Sequence, residues 1–332
     1  MTVVIIVGTT ETASIPGLSA AGATRELVAH TPAADAEIVT YGRPVLAPTL
    51  PVSPTGCPTP AAITRAVREV VGFDLIVIEA GLVGDTAAPT IHAAARPGAD
   101  IRTSVAVPHA NTIVRTAYEL GRSIPAPELI VGESIPGGTT TALGVLTALG
   151  ESHGVSSSLP ENPLALKREV VETGLTASQI SPGDVEGDPV DAIRLMGDPV
   201  LAALTGFVRG ARTRGVQVTL AGGTQMLAVA ALLRHGGDSS PIDIATTPFV
   251  VRDPSAGIER AAAELDVHLH VTDPGFDGAT HPAMRAFSAG EGKEGVGMGG
   301  ALYLAEREGV SMQQIRARFV EWYEDAVVKD GS

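Results

Sequence analysis

Apolar positions along the chain concentrate in short runs that are rich in valine, isoleucine and leucine, and the first of these runs is uninterrupted. The runs cover residues 3–7, 75–78, 129–131, 216–220 and 267–271, and glycine or an acidic residue closely follows each of them. Continuous apolar runs of this length are typical of strands buried on both faces of a parallel sheet. We therefore expect these five segments to be strands of one buried sheet.

Segments with helix-like composition and spacing lie between the runs, at residues 59–71, 139–149, 199–214, 224–233 and 254–265. Alternation of strand and helix indicates βαβ crossovers. The pattern predicts an α/β fold with a doubly wound, mostly parallel sheet and helices on both faces, a Rossmann-like three-layer architecture. Ligands of such sheets bind beyond the carboxyl ends of the strands, so the glycine-rich turns there are the candidate functional segments.

Two further segments do not belong to this alternation. Residues 44–60 contain six prolines and no period, which predicts an extended loop, either a lid or a dimer contact. Residues 311–329 place aromatic and aliphatic side chains on one helical face, with Ser311 as a plausible N-cap. We expect residues 1–310 to form a single α/β domain and residues 311–332 to form a helix that packs on it or on a dimer partner.

Charge and cysteine usage exclude several classes of function. The chain carries a formal net charge of −14, which argues against nucleic acid or an anionic membrane as partner, because both attract basic surfaces. Cys57 is the single cysteine and can form neither an internal disulfide nor, alone, a zinc site. The start of the sequence has no basic segment before its apolar run, and no apolar stretch reaches about 18 residues, so we expect a soluble, cytoplasmic protein.

The most informative turn is residues 132–141, GESIPGGTTT, between a predicted strand and a predicted helix. Gly137 and Gly138 allow the backbone to approach a ligand closely, and the helix that follows presents its positive end to an anion. The hydroxyls of Thr139 and Thr140 add donors. The turn is neither a Walker A loop nor a dinucleotide fingerprint, and it predicts a phosphate site unless it only caps the helix.

A second glycine-rich segment, residues 291–300, precedes another helical stretch and contains Glu291 and Glu294. So much glycine is costly in chain entropy and leaves the two carboxylates on a bare backbone. A ligand that packs against that backbone would account for it. The alternative is a flexible acidic surface loop.

Together these two segments resemble the nicotinate-nucleotide-dimethylbenzimidazole phosphoribosyltransferase family. Residues 132–140 are similar to the family's Gly-Glu-Met-Gly-Ile-Gly/Ala-Asn-Thr-Thr motif, and residues 293–298 to its Gly-Glu-Gly-Ser/Thr-Gly-Ala motif. Residues 164–168 and 220–228 resemble two intervening segments, so the likeness spans roughly residues 125–305. The opening residues 8–22 look like a shorter archaeal branch of the same family.

The resemblance implies transfer of the phosphoribosyl group of nicotinate mononucleotide to a benzimidazole-type base, giving an α-ribotide for the cobamide lower ligand. Glu294 is then the catalytic base. The nucleotide and its phosphate are expected to contact the residues that match the family's binding segments: Glu133, Gly137, Gly138, Thr139, Thr140, Lys167, Gly222, Gly223, Gly295 and Gly297. The reaction requires no metal and no cofactor, and the family's habit suggests a homodimer.

Departures from the family pattern keep two alternatives open. Pro136, Gly138 and Lys293 replace a small or apolar residue, an asparagine and a glycine, which would also fit a noncatalytic nucleotide-binding protein that retains the phosphate loop. A kinase with an atypical glycine-rich loop is a third interpretation, although the sequence has no magnesium motif. Lys167 could equally belong to a solvated helix face.

Histidines give no metal signature in the sequence. His268 and His270 alternate on a predicted strand, and His109 and His281 are each next to a proline, but none has a second ligand at a recognised metal spacing. We expect structural roles for all four. For His281, ten residues before the second glycine-rich segment, a substrate contact is an open alternative.

Overall fold

A computed structural model describes residues 1–19, 25–53 and 55–328 of the chain. Its centre is a seven-stranded sheet in which every neighbouring pair is parallel. The order is β3-β2-β1-β4-β5-β6-β7. The strands are β1 Thr2–Val7, β2 Asp74–Glu79, β3 Thr90–His92, β4 Glu128–Ser134, β5 Gln217–Ala221, β6 Ile242–Thr246 and β7 Val267–Val271. The predicted doubly wound, parallel α/β fold is confirmed.

Helices flank the sheet on both faces. They are α1 Arg25–Tyr41, α2 Ala61–Val71, α3 Ala110–Ser123, α4 Gly138–Leu149, α5 Leu164–Ala177, α6 Pro189–Met196, α7 Pro199–Arg212, α8 Thr224–His235, α9 Pro248–Val251, α10 Ile258–Glu264, α11 Pro282–Ser288, α12 Met298–Arg307 and α13 Met312–Tyr323. One apolar cluster packs α3, α4, α7 and α8 against one face of the sheet, and a second packs α2, α12 and α13 against the other.

Local sequence explains where several helices begin. Asp198 caps α7, because its Oδ1 accepts a hydrogen bond from the Leu201 N–H at 2.8 Å. The predicted helix over residues 254–265 was wrong at its start. Asp253 instead accepts the Ser255 N–H at 3.0 Å in a turn, and α10 begins only after Gly257, which has a left-handed conformation.

The strand order reverses direction between β1 and β4. From β1 the strand order continues through β2 and β3 to one edge of the sheet. The later strands, from β4 to β7, extend from β1 to the opposite edge. At such a switch point the loops after the two central strands diverge and leave a crevice at their carboxyl ends. The turn after β4 is residues 135–137, so the fold places the candidate phosphate loop at this crevice.

The terminal helix α13 packs on the sheet's own helices. A capping box of Ser311 and Gln314 starts it, and Ile315 and Phe319 are buried against α2 and its surroundings. The Trp322 Nε1–H donates to the carbonyl of Gly42 at 2.6 Å. These contacts favour our proposal that residues 1–310 form one domain and that the segment from residue 311 stabilises it. Residues 329–332 of that segment lie outside the described chain.

The proline-rich segment is an extended loop, as expected, with only an isolated bridge between Val52 and Pro58 among its described residues. Its first part is held by Glu37, whose carboxylate accepts the N–H groups of Leu46 and Ala47. None of the helices in the described parts of the chain has the length and hydropathy needed to cross a bilayer.

Candidate active site

A cleft lies at the carboxyl ends of the central strands, where several loops meet. Its walls include the proline-rich loop, the turn after β4, the loop at residues 156–158, the turn after β5, the glycine-rich segment before α12 and part of α1. Most predicted site residues border this cleft: Glu133, Gly137, Gly138, Thr139, Gly223, Glu294 and Gly295. Thr140, Lys167, Gly222 and Gly297 lie directly behind its walls.

The phosphate-loop candidate has no room for larger residues. Gly137 is left-handed with φ of +79°, and a Cβ there would approach the backbone nitrogen of Ala13 to 2.9 Å. A Cβ on Gly138 would lie 2.4 Å from Nε2 of Gln225. The turn therefore needs a glycine at position 137 to enter α4 and is tightly packed at Gly138. The first N–H groups of a helix have no partner within it.

Lys167 is buried behind this turn and does not lie on a solvated helix face. Its Nζ donates to Oγ1 of Thr139 at 2.9 Å and to the carbonyl of Ser156 at 2.7 Å. Burial and the neighbouring charge of Lys293 lower the pKa of Lys167 to about 7. The ammonium therefore stands one side chain away from the cleft, and Thr139 links the two.

The two glycine-rich segments are in direct contact. The Val296 N–H donates to the carbonyl of Glu133 at 2.7 Å. A Cβ on Gly132 would lie 2.6 Å from Cα of Gly297, so the two backbones are closely apposed. Segments about 160 residues apart in sequence thus form one continuous wall of the cleft.

Glu294 lies on this wall with one carboxylate oxygen unsatisfied. Its Oε1 accepts the Gly299 N–H at 2.8 Å, while Oε2 is buried without a hydrogen-bond partner among the described residues. Burial, with a smaller contribution from the charge of Glu133, raises the pKa of Glu294 to about 8. A carboxyl group with a raised pKa and a free oxygen is suited to proton transfer near neutral pH.

The turn after β5 supports Glu294 from the side. Gly223 borders the cleft, and a Cβ on it would lie 3.7 Å from Cβ of Glu294. Gly222 is one residue behind, and its N–H donates to the carbonyl of Ala245 at 3.0 Å. Gly222 therefore shapes the wall from behind, whereas Gly223 leaves space beside the carboxyl group.

Glu133 is a second buried carboxyl group in the cleft. Burial and the charge of Asp198 raise its pKa to about 8, although a hydrogen bond with Gln225 partly opposes this shift. An ionised Glu133 also makes a small contribution to the raised pKa of Glu294. Behind them, Asp198 accepts from Oγ1 of Thr141 at 2.5 Å and has a pKa of about 6 because of burial.

Asp35 on α1 is a cleft residue that the sequence did not reveal. Its two carboxylate oxygens accept from Oγ1 of Thr59 and Oγ of Ser134, each at 2.6 Å, and burial raises its pKa to about 6. The only local signal is an aspartate within an alanine-rich helix. Its importance follows from the fold, which joins α1 to the end of β4.

The remaining charged groups of the second glycine-rich segment have protein partners. Glu291 accepts hydrogen bonds from Ser53, at 2.7 Å, and Thr55 of the proline-rich loop. Lys293 pairs with Asp253 at 2.9 Å and also donates to two backbone carbonyls. The lysine that departs from the family motif therefore ties the segment to its neighbours.

His281 lies in an aromatic cluster, with its ring 4.9 Å from that of Tyr323, and burial lowers its pKa. It does not border the described cleft. His109 precedes α3 and makes no side-chain cap there. Neither position supports a substrate contact.

A glycine-rich turn and buried carboxyl groups lie together at the switch point of a parallel sheet, the place where α/β proteins of this kind bind their ligands. A family model described as phosphoribosyltransferase matches residues 60–238, which is more than half of the chain. The chain belongs to this phosphoribosyltransferase family. The matched region contains the phosphate loop and Lys167, whereas Glu294 lies beyond it.

Relatives from archaea match nearly the whole chain. A UPF0284 protein of Halobacterium salinarum is 55% identical over 318 residues, covering 96% of each chain. UPF0284 proteins of Thermococcus kodakarensis and Methanosarcina mazei are 42% and 44% identical, covering 96% and 94% of this chain and 96% and 90% of theirs. The resemblance to an archaeal branch is confirmed.

Two solved structures share the fold. The nicotinate-nucleotide-dimethylbenzimidazole phosphoribosyltransferase from Thermus thermophilus superimposes with a TM-score of 0.57 at 16% identity, over 97% of this chain and 82% of that one. A structure of CobT from the same organism gives a TM-score of 0.58, also at 16% identity, over 93% and 86%. At this identity the likeness establishes the common fold.

Proposed function

We propose that this protein transfers the phosphoribosyl group of nicotinate mononucleotide to a benzimidazole-type base, releasing nicotinate and giving an α-ribotide for cobamide lower-ligand assembly. Membership of the phosphoribosyltransferase family supports the class of reaction. The observation that carries the proposal is the contact between residues 132–133 and 296–297, because it puts Glu294 and the phosphate loop in one cleft.

The 5′-phosphate binds at the start of α4. The amides of Gly138 and Thr140 already donate within the turn, at 3.2 and 2.9 Å, so the amides of Gly137 and Thr139 are the principal donors to the anion. The helix dipole adds a favourable field. Lys167 supplies the compensating charge through Thr139, and phosphate binding stabilises its protonated form.

The chemical step is displacement at C1′ of the ribose. The bond from C1′ to the nicotinate nitrogen breaks as a ring nitrogen of the incoming base forms a new bond from the opposite face. Nicotinate leaves as a neutral pyridine, so it needs no proton. The other ring N–H of the benzimidazole gives its proton to Oε2 of Glu294, which keeps the product from acquiring a positive charge.

The buried carboxyl groups also favour the cationic substrate. Glu133 and Glu294 have pKa values of about 8 in the free cleft, so ionising both of them is unfavourable at neutral pH. A pyridinium ring or a developing positive charge at C1′ would lower both pKa values and stabilise the ionised pair. Substrate binding thereby generates the base that the reaction needs.

We further propose that the protein acts in the cytoplasm as a homodimer, without metal or cofactor in the transfer. The nucleotide substrate and the single buried Cys57 favour a reducing compartment. The acidic surface is unsuited to nucleic acid or anionic membranes as partners. The homodimer is inferred from the resemblance to the nicotinate-nucleotide-dimethylbenzimidazole phosphoribosyltransferase family.

The test is incubation of the purified protein with nicotinate mononucleotide and 5,6-dimethylbenzimidazole, followed by chromatography of nicotinate and ribotide. We expect turnover by the wild type and a loss of about 100-fold or more in kcat for Glu294→Gln. The affinity for the mononucleotide should change little. Glu308→Gln, on the exposed end of α12, is the matched control and should behave as wild type.

Absence of nicotinate release with benzimidazoles, purines and phenolic acceptors would refute the proposal. Tight binding of the mononucleotide without any turnover would instead identify a nucleotide-binding protein. Wild-type turnover by Glu294→Gln would reject Glu294 as the base.

A further inference from the structure

Strands β6 and β7 bring two histidines and an aspartate together on one face of the sheet, away from the cleft. Asp243 is opposite His268 in the parallel register, and His270 is two residues further along the same strand. Residues two apart on a strand point to the same face. The fold therefore places Asp243 beside the two histidines that alternate on β7, although Asp243 is 25 residues before His268 in the sequence.

The three side chains converge on one point. Oδ1 of Asp243 lies 3.2 Å from Nδ1 of His268 and 2.8 Å from Nε2 of His270. All three candidate ligand atoms lie within 4.8 Å of one another. Ligand atoms that bind zinc tetrahedrally at 2.0–2.1 Å are about 3.3 Å apart, so small side-chain movements suffice to admit an ion.

The surroundings hold this group in place while leaving it accessible. The Tyr303 ring on α12 stacks on His270 with centroids 4.5 Å apart, and the Arg307 guanidinium lies over the Tyr303 ring, 5.6 Å from its centroid. His268 is mostly exposed, with 72% of its side chain accessible. The ring stacking fixes His270, and the open side leaves room for water ligands.

We propose that Asp243, His268 and His270 bind one divalent late transition metal ion of the zinc type. Two imidazoles and one carboxylate suit Zn²⁺ and its neighbours, whereas Mg²⁺ and Ca²⁺ prefer oxygen ligands. Binding of the ion requires that the imidazole nitrogens facing Oδ1 carry no proton, so each imidazole would keep its proton on the other ring nitrogen. The structural role expected for these histidines from sequence thus becomes a metal-binding one.

The position of the site indicates a stabilising function. Asp243 is three residues before the end of β6, which places it roughly 10 Å from the cleft end of that strand. The ion would cross-link β6 to the edge strand β7. Through Tyr303 it would also support α12, whose first turn holds the carboxyl group of Glu294. The transfer chemistry itself does not use the ion.

The test is titration of chelator-stripped protein with Zn²⁺, read by competition with a chromophoric chelator and by Tm. We expect one equivalent bound and a Tm rise of about 4 °C when Zn²⁺ is in roughly hundredfold excess over Kd. His268→Ala, His270→Ala and Asp243→Asn should each weaken binding by about tenfold or more. Mg²⁺ should not reproduce the Tm rise.

His92→Ala is the matched control. His92 is an exposed histidine on β3, the opposite edge strand. Its Nδ1 contacts a single carboxylate, that of Glu79. It should leave the stoichiometry and affinity unchanged. Failure of the wild type to bind Zn²⁺ more tightly than a His268→Ala, His270→Ala double variant would overturn the proposal, and so would unchanged binding by Asp243→Asn.

Discussion

Replacement of Glu294 by glutamine should stabilise the fold, and the gain should grow with pH. The folded protein holds this carboxyl group with a pKa of about 8, against an ordinary value of 4.5. Between these two pH values the folded state binds more protons than the unfolded state, so the free energy of unfolding falls as pH rises. Glutamine has the size of the protonated acid and does not ionise.

The pKa difference sets an upper bound of about 5 kcal/mol on the cost of ionising this group in the fold. The real cost is smaller, because the side chain borders a cleft that water can enter and because an ionised Glu133 accounts for part of the pKa shift. We expect Glu294→Gln to be within about 0.5 kcal/mol of wild type at pH 5 and about 2 kcal/mol more stable at pH 9.

The assay is urea unfolding at pH 5 and pH 9 at constant ionic strength, followed by circular dichroism. Glu308→Gln removes the same charge from the exposed end of α12 and should show less than about 0.5 kcal/mol of difference at either pH. A stability difference between Glu294→Gln and wild type that is the same at both pH values would refute the assigned burial of this carboxyl group.

Other substitutions probe the phosphate loop. Lys167→Met keeps the buried volume and should raise KM for the mononucleotide about tenfold with a smaller effect on kcat. In the wild type this KM should rise as pH increases through about 7, where Lys167 loses its proton, and the variant should lack that pH dependence in steady-state assays. Gly132→Ala should cost about 3 kcal/mol by urea unfolding, because its Cβ meets the backbone of Gly297 at 2.6 Å. Gly138→Ala should cost less, about 1–2 kcal/mol, and raise KM, because its Cβ meets only side-chain atoms, Nε2 of Gln225 at 2.4 Å and Cγ2 of Ile135 at 2.8 Å; equal stability losses in the two glycine variants would contradict this reasoning.

Five of the seven strands were predictable from their apolar residues, and two strands were not. β1, β2, β4, β5 and the edge strand β7 contain the valine, isoleucine and leucine residues that indicate strands, continuous in β1 and alternating with histidine in β7. β3 has three residues and lies at an edge, so it has no such run. β6 was missed because Asp243 interrupts its apolar residues.

Helix α1 was also missed, because its sequence argues against a helix. Pro32 lies inside it, and proline removes a backbone donor and usually ends a helix. The helix nevertheless forms, and tertiary packing buries its residues 31–39. Asp35 on this helix was overlooked because its contact with Ser134 spans 99 residues of sequence.

The candidate site was predictable where chemistry depends on consecutive residues. A glycine pair before a helix and a glutamate among glycines are visible in a single sequence, and both border the cleft. Distant partners were not visible. Neither the link from Lys167 through Thr139 nor the pair of Lys293 with Asp253 has a signal in local spacing.

A crystal structure of the protein soaked with nicotinate mononucleotide tests the central claim most directly. We predict that the 5′-phosphate contacts the amides of Gly137 and Thr139 at the start of α4, with C1′ of the ribose facing Oε2 of Glu294. A phosphate bound elsewhere, or a ribose whose reactive carbon faces away from Glu294, would contradict the account.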